Sequence, residues 1–242
     1  MRIVGIIQAR MGSTRLPGKV LRELGGRSVL AWVVRAAREA GALDDLLVAT
    51  TVEQTDDAVA RECDRLGVAC HRGPVDDVLT RFVQALEGRR CDAVMRFTAD
   101  CPLLDPAVIR EAALVFRAVP GLDYLSTSLE RTLPRGLDVE IARRSALARA
   151  DREATGFHRV HVTSYLYEHP GESRLLGLTY RPAAGDLRVT LDTEDDWRLI
   201  SAVVAALGDR CVPARTLIGW LREHPEVSGL NAHVRQKALQ DA

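Results

Sequence analysis

Residues 3–19, Ile-Val-Gly-Ile-Ile-Gln-Ala-Arg-Met-Gly-Ser-Thr-Arg-Leu-Pro-Gly-Lys, constrain this chain most, because an apolar β-branched strand runs straight into a loop with two glycines and three cations. A strand of that composition, Ile3 to Ile7, belongs in the middle of a parallel sheet. Glycine at 12 and 18 lets backbone N–H groups approach an anion, and Arg10, Arg15 and Lys19 supply charge. The pattern predicts a phosphate site. It is neither a Walker loop nor a dinucleotide fingerprint: five residues separate Gly12 from Gly18, Val20 follows Lys19 where Ser or Thr is required, and no G-x-G-x-x-G occurs.

Strand and helix patterns alternate four times in the first hundred residues. Helical spacing over 28–40 begins at Ser28 and stops at Gly41, and strand-like 45–50 precedes a helix over 56–66. A short strand over 68–71, a helix over 78–87 and a strand over 93–97 follow. This order predicts an α/β fold with a parallel sheet covered on both faces. Downstream, a helix is expected over 106–115, strands over 124–129, 136–141, 175–180 and 187–191, a mainly helical stretch over 143–170, and an amphipathic helix over 194–207. The reading is a single domain over 1–242, with 122–185 as a strand-rich excursion and 212–242 as a polar helical tail broken at Pro213, Pro225 and Gly229.

Acidic and basic residues number 33 each, so no global field draws nucleic acid or an anionic membrane, and any anion site must be local. Five cysteines at irregular spacing, without a C-x-x-C pair, predict free thiols and no zinc site. No apolar run reaches the ~18 residues of a membrane span, and the first strand starts at residue 3, which together predict a cytoplasmic protein. Lys19 and Lys237 are the only lysines, which singles out the one inside the glycine loop.

Asp100, in Arg96-Phe97-Thr98-Ala99-Asp100-Cys101-Pro102-Leu103-Leu104, lies just past the C-terminal end of a predicted strand, where open α/β sheets place ligands. Asp192 ends another expected strand and could equally cap the helix after it. Carboxylates at strand ends are candidates for holding a cation. Cys101 has no adjacent base and reads as a packing residue.

The glycine loop resembles the signature of the cytidylyltransferases that activate 3-deoxy-ulosonic acids, of the octulosonate and acylneuraminate types, and stands nearest the branch of spore coat polysaccharide biosynthesis protein F. Residues 1–210 share the resemblance. It implies a three-layer α/β/α nucleotidyltransferase fold with Rossmann-like topology, and transfer of CMP from CTP to a hydroxyl of a small anionic acceptor, a sugar acid or similar, with release of pyrophosphate. It also implies a homodimer, its contact built by the 122–185 excursion. Arg10 and Lys19 become catalytic, and Gln8, Ala9, Arg10, Gly12, Ser13, Arg15, Lys19, Thr50, Arg72 and Thr98 surround the nucleotide. Asp100 and Asp192 match the family's magnesium motifs and become ligands of Mg²⁺, with Mn²⁺ as its substitute. Glu194 replaces the proline usual in relatives, which is expected to loosen the helix start.

His71-Arg72-Gly73 through Asp77-Val78-Leu79 resembles the segment whose arginine lies near the pyrimidine; otherwise it is a solvated loop with a cap at Asp76 or Asp77. Thr98 stands where octulosonate enzymes carry glutamine. Residues 133–140 and 161–163 match the P-R-G-L-D-V-E and H-V-T segments of the spore-coat branch. Arg135, Asp138, Glu140 and His161 are then acceptor-binding, or else a structural ion-pair cluster. A glycosyltransferase using a nucleotide sugar would display a D-x-D motif, which is missing at Asp100. A non-catalytic nucleotide-binding protein would be expected to lack one of Lys19, Asp100 or Asp192.

Overall fold

A seven-stranded mixed sheet in the order β5-β4-β1-β6-β8-β7-β9 organises the computed structural model, which describes residues 1–236. Its strands are β1 (Ile3–Gln8), β4 (Asp45–Thr51), β5 (Ala69–Gly73), β6 (Ala93–Thr98), β7 (Tyr124–Ser126), β8 (Glu140–Arg143) and β9 (Leu175–Gly177). A small antiparallel pair, β2 (Glu23–Leu24) and β3 (Arg27–Ser28), lies apart. The helices are α1 (Val29–Glu39), α2 (Asp57–Leu66), α3 (Val78–Ala85), α4 (Pro106–Ala118), α5 (Arg144–Glu153), α6 (His158–His161), α7 (Ser164–Glu168), α8 (Glu194–Leu207), α9 (Ala214–Glu223) and α10 (Pro225–Ser228).

β5, β4, β1 and β6 are mutually parallel, as the strand–helix alternation predicts. β8 then pairs antiparallel with β6, so the second half leaves the parallel pattern. Local signals fix the helix ends: the Ser28 side chain accepts from Ala31 N, and Gly67 closes α2 in the left-handed conformation. Period-two alternation splits β1 between two cores. Ile3 and Ile7 join the cluster with α1, α4 and α8, while Val4 and Ile6 join the one with α3 and α5. Gln8, Arg96, Thr98 and Glu140 extend the second face toward the C-terminal end of the sheet.

Two expected strands differ from the structure. The 136–141 strand is realised as β8 at 140–143, and the 187–191 stretch joins the fold by a single parallel bridge between Arg135 and Arg188. Arg135 joins 133–139 to 187–191 through backbone bonds, Arg135 N to Leu187 O at 3.0 Å and Val189 N to Arg135 O at 2.7 Å, and next to it Gly136 at φ 105° has no room for a side chain, since a Cβ would lie 2.5 Å from Thr190 N. Within 122–185, β7 and β8 come first, then α5, α6 and α7 in succession, then β9. The tail carries α9 and α10, and residues 237–242 of the expected helical tail lie outside the described residues.

Candidate active site

Lys19 is the hub. Gly18, left-handed at φ 70°, turns the glycine loop into the short helical turn Lys19–Leu21, which sends the lysine side chain inward to 8% exposure. Its ammonium donates to Asp100 Oδ2 at 2.7 Å, the Leu191 carbonyl at 2.7 Å and Asp192 Oδ1 at 2.8 Å. Burial alone would lower its pKa, but Asp100 and Asp192 outweigh burial and raise it above the ordinary 10.5. Burial likewise works against the charged form of Asp192, yet Lys19 and then Arg15 hold its pKa below the ordinary 3.8. Each pair member therefore keeps its charge across the neutral range. The stability they contribute is lost only as pH falls through the depressed Asp192 value or rises through the elevated Lys19 value.

Asp192 divides its oxygens. Oδ1 faces Lys19, while Oδ2 accepts from Arg188 at 2.6 Å and pairs with Arg15 at 3.0 Å. It is not the cap of α8: Thr193 is, in a reciprocal capping box with Asp196. That box, with an Arg22–Glu194 ion pair at 2.6 Å, overturns the expectation of a loosened helix start. Glu194 instead adds acidic charge to a first turn where the helix dipole favours it.

The glycine loop is closed upon itself and anchored from below. Gly18 N donates to Met11 O at 3.1 Å, so Gly18 serves the turn and does not offer its N–H to an anion. Ser13 Oγ accepts from Leu16 N at 3.3 Å. Asp56, at 1% exposure, accepts from Met11 N at 2.6 Å, from Thr51 N and from the Thr51 hydroxyl, tying the loop to the end of β4. Sequence reading treated Asp56 only as a helix start; its carboxylate serves the loop. Ala9 is buried at the loop's root, whereas Arg10 and Gly12 are exposed, and Arg10 makes no hydrogen bond or ion pair among the described residues.

The remaining nucleotide candidates divide. Gln8 lies opposite Thr98 in the β1–β6 register, on the sheet face that carries Arg96. Arg96 donates to Gln8 Oε1 at 3.2 Å and to Glu140 Oε2 at 3.0 Å. The Thr98 hydroxyl is engaged with Cys101 Sγ at 3.2 Å, and Cys101 is buried with its thiol pKa pushed up, as fits a packing residue. Thr50 is fully buried, on the same face as Val48 and opposite Gln8, and its hydroxyl has no hydrogen-bond partner among the described residues. Arg72 has its guanidinium spread over Thr51 O at 3.0 Å, Glu53 O at 2.9 Å and Asp57 Oδ1 at 2.6 Å, so in this structure it holds the 51–57 loop. Asp77 caps α3, accepting from Thr80 N at 2.8 Å.

Of the four acceptor candidates, Glu140 is already committed, to Arg96 and to the Thr163 hydroxyl at 2.7 Å. Asp138 pairs with Arg131 at 2.6 Å. These two behave as the ion-pair reading expects. Arg135 does not: its half-buried side chain makes no hydrogen bond or ion pair among the described residues, and burial, then the nearby Arg131, lower its pKa. His161 ends α6 at a strained turn, where Val162 adopts φ 59° and ψ −59° and Thr163 N reaches back to His161 O at 2.6 Å. That is the rare positive-φ γ-turn, in a β-branched residue for which it is costly.

Arg188 and Asp196 were missed altogether. Both lie near Asp192 in sequence, and a lone arginine in the apolar run Leu187–Leu191 was the available signal. Arg188 is 8% exposed and Asp196 fully buried, and they pair at 2.8 Å.

Comparison with known proteins matches the cytidylyltransferase family over residues 4–193. The chain is 34% identical to the spore coat polysaccharide biosynthesis protein SpsF of Bacillus subtilis, over 93% of this chain and 96% of that protein. A cytidylyltransferase structure from Leptospira borgpetersenii superposes with a TM-score of 0.91 at 26% identity, covering 98% of this chain and 99% of that one. The fold is shared, at 16% identity and a TM-score of 0.67, with a CMP:2-keto-3-deoxy-manno-octonic acid synthetase complexed with CTP, over 86% and 100% of the two chains. With its glycine loop, sheet and paired aspartates all inside the matched region, this chain belongs to the cytidylyltransferase family.

Proposed function

We propose that the protein transfers CMP from CTP to a hydroxyl of an acidic acceptor, a sugar acid or similar compound, with release of pyrophosphate and with Mg²⁺ or Mn²⁺ as cofactor. The observation that carries this reading is the convergence of Asp100 and Asp192 on one cation position at the foot of the glycine loop, marked by the Lys19 ammonium within 2.8 Å of both. Two hard carboxylate oxygens suit Mg²⁺. No group of three His, Cys, Asp or Glu side chains among the described residues could hold a metal, so nucleotide oxygens and water complete the shell. When bound, the ion offsets triphosphate charge and orients the α-phosphorus for in-line attack.

The chain's own residues do the rest. Arg10, exposed and uncommitted, meets the phosphates first, and Arg15 and Lys19 follow by leaving their carboxylates for the triphosphate. Their charges then stabilise pyrophosphate as it departs. Positioning carries most of the rate, because phosphoryl-type transfer needs little covalent help from the protein.

Arg135 is the residue through which the acceptor's acid group is held, by a bidentate charge-assisted pair. Arg135→Ala is expected to raise the acceptor KM by ~10-fold, the scale of hydrogen bonds to a charged group, while the CTP dissociation constant stays within a few-fold. Loss of CTP affinity in that variant would assign the arginine to the nucleotide. The function itself is tested by pyrophosphate release from CTP, UTP, ATP and GTP with and without candidate sugar acids. Release that needs neither CTP nor an acidic acceptor would defeat the proposal.

A further inference from the structure

The family match ends at residue 193, yet the chain returns to the site 38 residues later in the person of Asn231. Asn231 is 2% exposed, and its Nδ2 donates to Asp196 Oδ1 at 2.7 Å and to the Arg188 carbonyl at 3.2 Å. Both partners are acceptors only, so the amide can face them in no other sense. Arg188 donates through Nε to Asp196 Oδ1 at 2.8 Å, through Nη2 to Asp192 Oδ2 at 2.6 Å, and through Nη1 to Gln236 Oε1 at 3.0 Å. Asp196 Oδ2 accepts from the backbone N–H groups of Asp192 and Thr193, both at 2.9 Å. Asn231, Asp196 and Arg188 are buried, Asp192 is half-buried, and each is committed to the next.

We propose that Asn231 is a positioning residue for Asp192, acting through Asp196 and Arg188, and that the segment 231–236 is thereby a working part of the nucleotide site. The inference rests on Asp192 being a cation ligand. A carboxylate swivels about its Cβ–Cγ bond, and the oxygen presented to the cation position is decided by what grips the other one. Arg15 and Arg188 grip Oδ2, but Arg15 belongs to the glycine loop and is drawn off to phosphate when nucleotide binds. Arg188 then holds Oδ2 alone. Its aim depends on Asp196 Oδ1, which Asn231 shares, and on its own backbone carbonyl, which Asn231 also holds. Removing the Asn231 donor leaves an unfilled acceptor on Asp196 and lets the guanidinium turn toward it and away from Asp192.

The test is Mn²⁺ binding to the intact protein in the presence of CTP, read by electron paramagnetic resonance, beside the Mg²⁺ and CTP dependence of turnover. Asn231→Ala is expected to weaken Mn²⁺ binding and to raise the apparent KM for Mg²⁺ by ~10-fold, the scale of one hydrogen bond to a charged group, with the CTP KM within about threefold. Arg188→Lys keeps the charge and loses the fork, and is expected to show the same split. It also stands in should Asn231→Ala fail to fold. If Asp192→Asn abolishes Mn²⁺ binding while Asn231→Ala and Arg188→Lys leave it unchanged, Asn231 merely anchors the tail and the proposal falls. If Asp192→Asn itself leaves Mn²⁺ binding unchanged, the ligand assignment beneath the proposal is what fails.

Discussion

Asp100→Asn and Asp192→Asn are each expected to lower CTP-dependent pyrophosphate release by ~10² or more, the loss typical of removing one preorganised electrostatic group. The two amides keep the shape of the carboxylates but halve the negative charge that meets at Lys19, so the fold persists and the cation position weakens. Stability should respond less than turnover, because each variant removes one charge from a cluster in which Arg15 and Arg188 also take part. Steady-state rates beside thermal melts decide the matter: a lowered melting temperature with unchanged turnover at Asp192 would make that residue purely structural.

Lys19→Met is expected to produce a more unusual pair of effects. Turnover should fall by ~10² to 10³ through the loss of a phosphate-binding charge. Mn²⁺ binding without nucleotide should nevertheless tighten by ~10-fold or more, since two carboxylates held at one point in a low-dielectric pocket lose their resident cation. In the native protein the ammonium already fills that position, at 2.7 and 2.8 Å from the two oxygens. On the proposed function a divalent ion would enter readily only when triphosphate draws Lys19 away, which would make ion and nucleotide binding mutually supportive. Isothermal titration of Mn²⁺ into both proteins, with and without CTP, measures this directly. Equal affinity of the two apo proteins for Mn²⁺ would show that Lys19 does not guard the position.

How much of this could be read in advance depended on sequence separation. The course of the glycine loop was legible because strand, turn and cations are contiguous, and the place of Asp100 just past β6 because a strand end is a local feature. Asp56 was not, since its partner Met11 is 45 residues away and no local pattern distinguishes it from a helix start. Asn231 meets Arg188 and Asp196 across 43 and 35 residues, which places it beyond any periodicity argument. Thr50 turns on a different rule: one step along a strand reverses the face, and its place in β4 puts it on the Val48 side, buried. The 187–191 stretch has strand composition, but its backbone bonds run to Arg135.

The cations gathered around Asp192 have a consequence for proton traffic. Arg188 and Lys19 are held above their ordinary values and Asp192 below its own. Arg188, Lys19 and Asp192 therefore carry the same charge from mildly acidic to mildly alkaline solution, and none of the three takes up a proton at neutrality. In the proposed transfer, the hydrogen released by an attacking hydroxyl would leave by another route, whether on the substrate's own phosphate oxygens, on solvent or on a group outside these three. Any bend in the rate against pH over that range then reports on the acceptor's ionisation or on that other route, and the machinery around Lys19 is a constant background to it.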